Sequence, residues 1–127
     1  MSDTTTRGIR IQAKPQYLPG RSRPAAGEYV FAYQVTISNV GNRPAKLLSR
    51  RWVITASTGE EHHVRGDGVV GQQPRLEPGQ AFEYTSFCPL PTAVGTMRGE
   101  YQMVRDDGES FDASIEPFTL AAPHALN

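Results

Sequence analysis

A single cysteine, no net charge and no long apolar run are the scarcities of this 127-residue chain, and each removes a class of protein. With Cys88 alone, no intrachain disulfide can form, so the core must hold the fold; a lone thiol also suits a reducing compartment. No apolar stretch approaches the ~20 residues that a membrane helix needs. The opening Met1-Ser-Asp-Thr-Thr-Thr-Arg-Gly8 has no apolar core of the signal-peptide kind. The expectation is a soluble, cytoplasmic protein with no membrane partner. A formal charge of zero argues against a nucleic-acid binder driven by bulk charge. Helical periodicity is scarce as well, which turns attention to what is abundant.

What is abundant is period-two alternation. From Tyr29 to Asn39 the odd positions read Tyr29, Phe31, Tyr33, Val35 and Ile37, with small or polar residues between them. Successive side chains on a strand point to opposite faces, so this segment predicts a half-buried strand. Ile9, Ile11 and Ala13 follow the same rule, as do Met97, Tyr101 and Met103, and Phe111, Ala113 and Ile115. Leu48, Trp52, Ile54 and Ala56 form another inward row, with Arg50 as its exception. Pro117 interrupts the last run, and Phe118 and Leu120 continue on the other parity, as a bulged edge strand does.

Turn chemistry separates these runs. Pro78-Gly79 suits the centre of a type II turn, and Asp107-Gly108 predicts a two-residue hairpin. Residues 15–28, rich in Pro, Gly and Arg, predict a mobile loop; residues 1–6 and 121–127 predict flexible ends. The fold class is therefore all-β: an immunoglobulin-like or fibronectin type III-like sandwich of seven to eight antiparallel strands, forming one domain over residues 1–127. An exposed edge strand leaves oligomerisation open.

The charge, zero in total, is unevenly placed. Residues 1–75 hold 11 Lys/Arg and 5 Asp/Glu; residues 76–127 hold 2 and 8. Either opposite charges meet across neighbouring strands, or Arg50, Arg51, Arg65 and Arg75 form a basic patch.

The most distinctive short motif is Gly66-Asp67-Gly68-Val69-Val70-Gly71-Gln72-Gln73-Pro74. Its glycine spacing matches a dinucleotide loop, but that chemistry needs a helix opening after the glycines, so that free N–H groups and the helix dipole meet a pyrophosphate. Pro74 and the strand-like Arg75-Leu76-Glu77 leave no room for one, so residues 66–74 should join two β-segments. Three readings stay open: a tight connection in which the glycines serve shape; a concavity of backbone N–H groups that takes phosphate or pyrophosphate between Arg65 and Arg75; and a protein-contact loop on a stiff frame. Val69 and Val70 are then either small anchors or part of the core rim.

Other candidates are weaker. Neighbouring residues on a strand face opposite ways, so His62 and His63 cannot readily chelate one ion, and no Cys-x-x-Cys or His-Glu-x-x-His occurs. Nothing sets Cys88 where its pKa would fall, so His62, His63 or His124 gain no nucleophile to serve. No carboxylate pair stands out for acid–base work. The expectation is no catalytic residue, no metal site and no cofactor.

Longer runs add a resemblance. Val64 through Ser86, then Thr92-Ala-Val-Gly-Thr-Met-Arg-Gly-Glu-Tyr101, with Tyr33-Gln-Val-Thr-Ile-Ser-Asn39 and Arg50-Arg-Trp-Val-Ile-Thr55 upstream, resemble the ApaG (CorD) family over nearly the whole chain. The resemblance implies a fibronectin type III-like sandwich, a protein partner, and a link to cobalt resistance and magnesium efflux. It also implies the glycine loop as a candidate pyrophosphate or nucleotide site, and it supplies no catalytic residue. The expected contact surface is Arg65, Gly66, Asp67, Gly68, Val69, Val70, Gly71, Gln72, Gln73 and Arg75. The expected function is a non-catalytic binding module for an unidentified protein, with phosphate or pyrophosphate binding as the alternative.

Overall fold

The alternation resolves into nine strands in the computed structural model, which describes residues 1–123. They are β1 (Ser2–Thr6), β2 (Ile9–Tyr17), β3 (Tyr29–Asn39), β4 (Ala45–Ala56), β5 (Glu61–Asp67), β6 (Arg75–Leu76), β7 (Ala81–Leu90), β8 (Val94–Val104) and β9 (Ser110–Ala121). One sheet has the order β1-β2-β3-β7; the other has the order β5-β4-β8-β9, with β6 pairing the start of β4. Every pairing is antiparallel. The two sheets make an immunoglobulin-like, fibronectin type III-like sandwich. Nine strands exceed the expected seven or eight because β1 and the two-residue β6 also enter ladders.

The core sits where the alternation puts it. Phe31, Tyr33, Val35 and Ile37 of β3 are buried, and so are Met97, Tyr101 and Met103 of β8. The inward rows meet around Trp52, whose ring stands edge-on to Tyr33 at 5.3 Å, Phe118 at 6.0 Å and Tyr101 at 6.4 Å. Ring quadrupoles favour that arrangement over flat stacking.

Two register shifts change the parity. In β4 the register slips between Leu47 and Ser49. Ala45 and Leu47 are buried before the slip, and Trp52 and Ala56 after it. Leu48, assigned to the inward row from sequence, is the slipped residue. In β9, Phe118 pairs Met97 and Ile115 pairs Gly99, which leaves Glu116-Pro117 as the bulge that the sequence indicates.

Three sequence expectations need correcting. Residues 1–6 are held, since Ser2–Thr6 pair with β2 and the Thr6 hydroxyl accepts the Ser114 N–H. Their polar sequence conceals a strand that ladder bonds and β-branched threonines support. In the 15–28 segment, Pro15–Tyr17 complete β2. Two 3-10 turns follow, Pro19–Arg21 and Pro24–Ala26, braced by Ser22, whose hydroxyl donates to the Leu18 carbonyl and accepts the Val30 N–H. The β8–β9 hairpin has a three-residue connection: Arg105 and Glu109 close it, and Gly108 takes φ +91. Of the tail 121–127, Ala121 ends β9, and residues 124–127, His124 among them, lie outside the described residues.

The two flanks of the sandwich differ. On one, β1 and β2 lie against β9. Nearby, Arg105 is only 8% exposed; it donates to the carbonyls of Arg7, Arg43 and Pro44 and lies 4.6 Å from the Phe111 ring centre. One guanidinium thus fastens three connections with charge-assisted hydrogen bonds. On the other flank, β5 and β7 are both sheet edges and do not pair. No helix among the described residues is long and apolar enough to cross a membrane.

Candidate functional site

The glycine motif forms a braced hairpin. Arg65, Gly66 and Asp67 belong to β5, and the chain returns through residues 68–74 to β6. Val69 and Gln72 exchange two backbone hydrogen bonds, 2.8 and 2.9 Å long. Between them Val70 and Gly71 take φ +43 and +79. Two positive φ values at the centre of a two-residue loop define a type I′ turn. The segment joins two β-strands and opens no helix, as expected.

Each glycine has its own reason. A Cβ on Gly66 would lie 2.7–2.9 Å from the Arg50 guanidinium, so this glycine leaves the space that Arg50 fills. Gly68, at φ +61, brings the Gln72 carbonyl so close that a Cβ would meet it at 2.3 Å. Gly71 faces open space and answers only the positive φ.

The loop's polar groups are largely committed. The N–H groups of Gly68, Val69 and Gln72 donate to the carbonyls of Leu48, Gln72 and Val69. Arg50 donates through Nη1 to the carbonyls of Asp67 and Gly68, and the Gln73 side chain donates to the Leu48 carbonyl. The four arginines do not make a free basic patch. Arg51 pairs Glu100 at 2.9 Å, and Arg75 grips Asp106 and Glu77. Asp106 on Arg75 and Asp107 on Arg43 join the basic first part of the chain to its acidic end. Arg65 alone of the four has no hydrogen-bonded or ion-paired partner among the described residues.

The two valines separate. Val69 is fully buried in the core cluster that also holds Leu76, so it is not a contact residue, contrary to the sequence-based assignment; the turn faces it inward. Val70 is 57% exposed at the tip. Gly71, Gln72 and Gln73 are also exposed.

A second feature, absent from the sequence reading, lies on the open flank. A cleft of about 380 Å³ runs between β7 and the β4–β5 pair, lined by Arg50, Trp52 and Ile54 on one side and Ser86, Cys88 and Leu90 on the other. Arg50, the exception in an apolar row, was its one sequence signal. Burial pushes the Cys88 thiol up to about 11, which keeps it protonated and unreactive near neutrality. Burial also raises the Tyr33, Tyr84 and Tyr101 hydroxyls, and Tyr84 and Tyr101 are hydrogen-bonded to each other at 2.5 Å. His62 lines the cleft, while His63 turns away to Glu61 at 3.3 Å. Among the described residues no three His, Cys, Asp or Glu side chains are grouped as a metal site would require.

Fold and site together define a fibronectin type III-like sandwich that displays its glycine motif as a rigid inter-strand hairpin. The ApaG domain model matches residues 19–105. Protein ApaG of Anaeromyxobacter dehalogenans (strain 2CP-1 / ATCC BAA-258) is 55% identical over the full length of both chains, and Protein ApaG of Dechloromonas aromatica (strain RCB) is 52% identical over the same span. A crystal structure of a Bordetella pertussis protein provisionally named ApaA superposes with a TM-score of 0.90 at 50% identity, covering 92% of this chain and 95% of that one. The chain belongs to the ApaG domain family.

Proposed function

We propose that the protein is a non-catalytic interaction module of the cytoplasm that docks a protein partner on the 66–74 hairpin, with Val70 as apolar contact and Arg65 of β5, unpaired among the described residues, as a cation. Val70 carries the reading. A β-branched residue at positive φ is an outlier that costs on the order of 1–3 kcal/mol, and a type I′ turn prefers Asn or Gly there. Val70 offsets that cost with little burial of its own, since its side chain is exposed. Strain kept at an exposed apolar tip supports a contact with another molecule. The bracing by Arg50 and Gln73 pre-orders the tip and lowers the entropy lost on docking. The phosphate alternative has fewer donors to draw on, because the N–H groups of Gly68, Val69 and Gln72 are already engaged and Arg75 is already paired. A role in cobalt resistance or magnesium efflux would be exerted through the partner.

A photo-cross-linking residue placed at position 70, and separately at Ser57 in the β4–β5 turn as control, tests the proposal in living cells. Position 70 should give a discrete adduct with another protein that excess wild-type domain suppresses; Ser57 should not. A folded protein with no adduct at position 70 would sink the reading.

A further inference from the structure

We propose that the cleft on the open flank binds a small aryl carboxylate, with its ring against Trp52 and its carboxylate at Arg50. The proposal stands independently of the Val70 contact. A volume of about 380 Å³ falls within the roughly 300–1,000 Å³ of small-molecule sites. The cleft has a direction. Along β4 the inward residues run Arg50, Trp52, Ile54, Ala56, and along β7 the row is Ser86, Cys88, Leu90. Ala56 lies at the Leu90 end, because Thr55 and Gly95 both pack there.

The polar groups divide between the ends. Arg50 and Ser86 stand at one, where Ser86 lies across the β3–β7 pair from Tyr33. Among the described residues, Arg50 uses only Nη1, which leaves Nε and Nη2 unpartnered. At the other end Glu60, opposite Ala56, and His62 on β5 border the cleft. An anionic head is therefore drawn to Arg50 and repelled from Glu60. Between the ends the wall is aromatic and aliphatic.

The second observation is Trp52 itself. It is 2% exposed, it lines this cleft, and its indole N–H has no acceptor among the described residues. A buried donor left without an acceptor costs about 1–3 kcal/mol. The N–H itself is covered in the unliganded fold, so a small turn of the indole toward the cleft would bring it to a ligand oxygen, the acceptor the fold does not supply. Donors on three side chains, a cation and aromatic walls together select a ring-sized apolar body with one carboxylate.

The probe is 3-phenylpropionate, with 3-phenylpropanamide and propionate as comparators. Trp52 is the only tryptophan, so its fluorescence and its indole N–H resonance report on the site directly. The acid should produce a saturable change in both, with the indole N–H moving downfield. The amide should bind about tenfold more weakly, because the ion pair with Arg50 is lost and only a hydrogen bond from the guanidinium to a neutral oxygen remains, and propionate should give no response. Arg50→Gln should erase the preference for acid over amide. Ser86→Leu, which fills the Arg50 end without touching the hairpin, should abolish binding; dispersed amide spectra verify that each variant is folded. No saturable response at millimolar acid, equal affinity for acid and amide, or a response unchanged in folded Ser86→Leu would overturn the proposal.

Discussion

Val69 and Val70 are adjacent and chemically identical, yet one fills the core and the other projects from a strained turn. Alternation cannot separate them, because a hairpin tip follows dihedral demands and not the period of a strand. The sequence therefore leaves both valines as either anchors or core rim, and only φ and burial tell them apart. Asn tolerates the left-handed region and, before Gly71, completes the favoured Asn-Gly pair. Val70→Asn should stabilise the domain by about 1 kcal/mol. For a chain of this size that raises Tm by roughly 3–6 °C in calorimetry. The same substitution should weaken partner docking, so stability and function should move in opposite directions. Arg50 was legible only as an anomaly: a charge in an inward row, whose reason appears once Gly66 and the hairpin carbonyls are seen around its guanidinium.

Among the elements, the hairpin separates two costs that a glycine-to-alanine change usually mixes. Gly71→Ala meets open space and faces only the left-handed φ, a cost of about 1 kcal/mol. Gly68→Ala faces the same dihedral cost and drives a Cβ to 2.3 Å from the Gln72 carbonyl, so the turn must distort, at roughly 3 kcal/mol in all. Urea midpoints of the two variants should rank in that order by a clear margin. Elements as a whole were unevenly legible. The ends of β3 follow from unbroken alternation, and Pro117 announces the β9 bulge. The slip at Leu48 has no local signal, since any residue can be the extra one. Polar β1 and two-residue β6 carry too little apolar pattern to be seen before their ladder partners are known.

Across the whole molecule, the opposed charge of the two chain segments is spent on ion pairs between neighbouring connections, most of them exposed and each worth little. Buried acids matter more for the response to pH. Cys88 goes up to about 11, and Tyr33, Tyr84 and Tyr101 rise with burial as the leading cause. These groups are neutral in the folded state, whereas in the unfolded chain the thiol ionises near its ordinary 9.0 and the phenols near 10.0. Their contribution to stability is thus complete below about pH 9 and is lost as pH rises toward and beyond 11. Unfolding free energies from urea titrations should show no loss from these groups between pH 7 and 8.5 and a steady decline above pH 9. A curve that stayed level to pH 11 would contradict the burial of the thiol. The fastening of β1 and β2 against β9, with Arg105 nearby, and the unpaired edges of β5 and β7 opposite give the molecule the mechanics of a bound book. Its spine is stitched and its fore-edge is not, so a guest of the kind proposed would enter between the covers there without disturbing the binding.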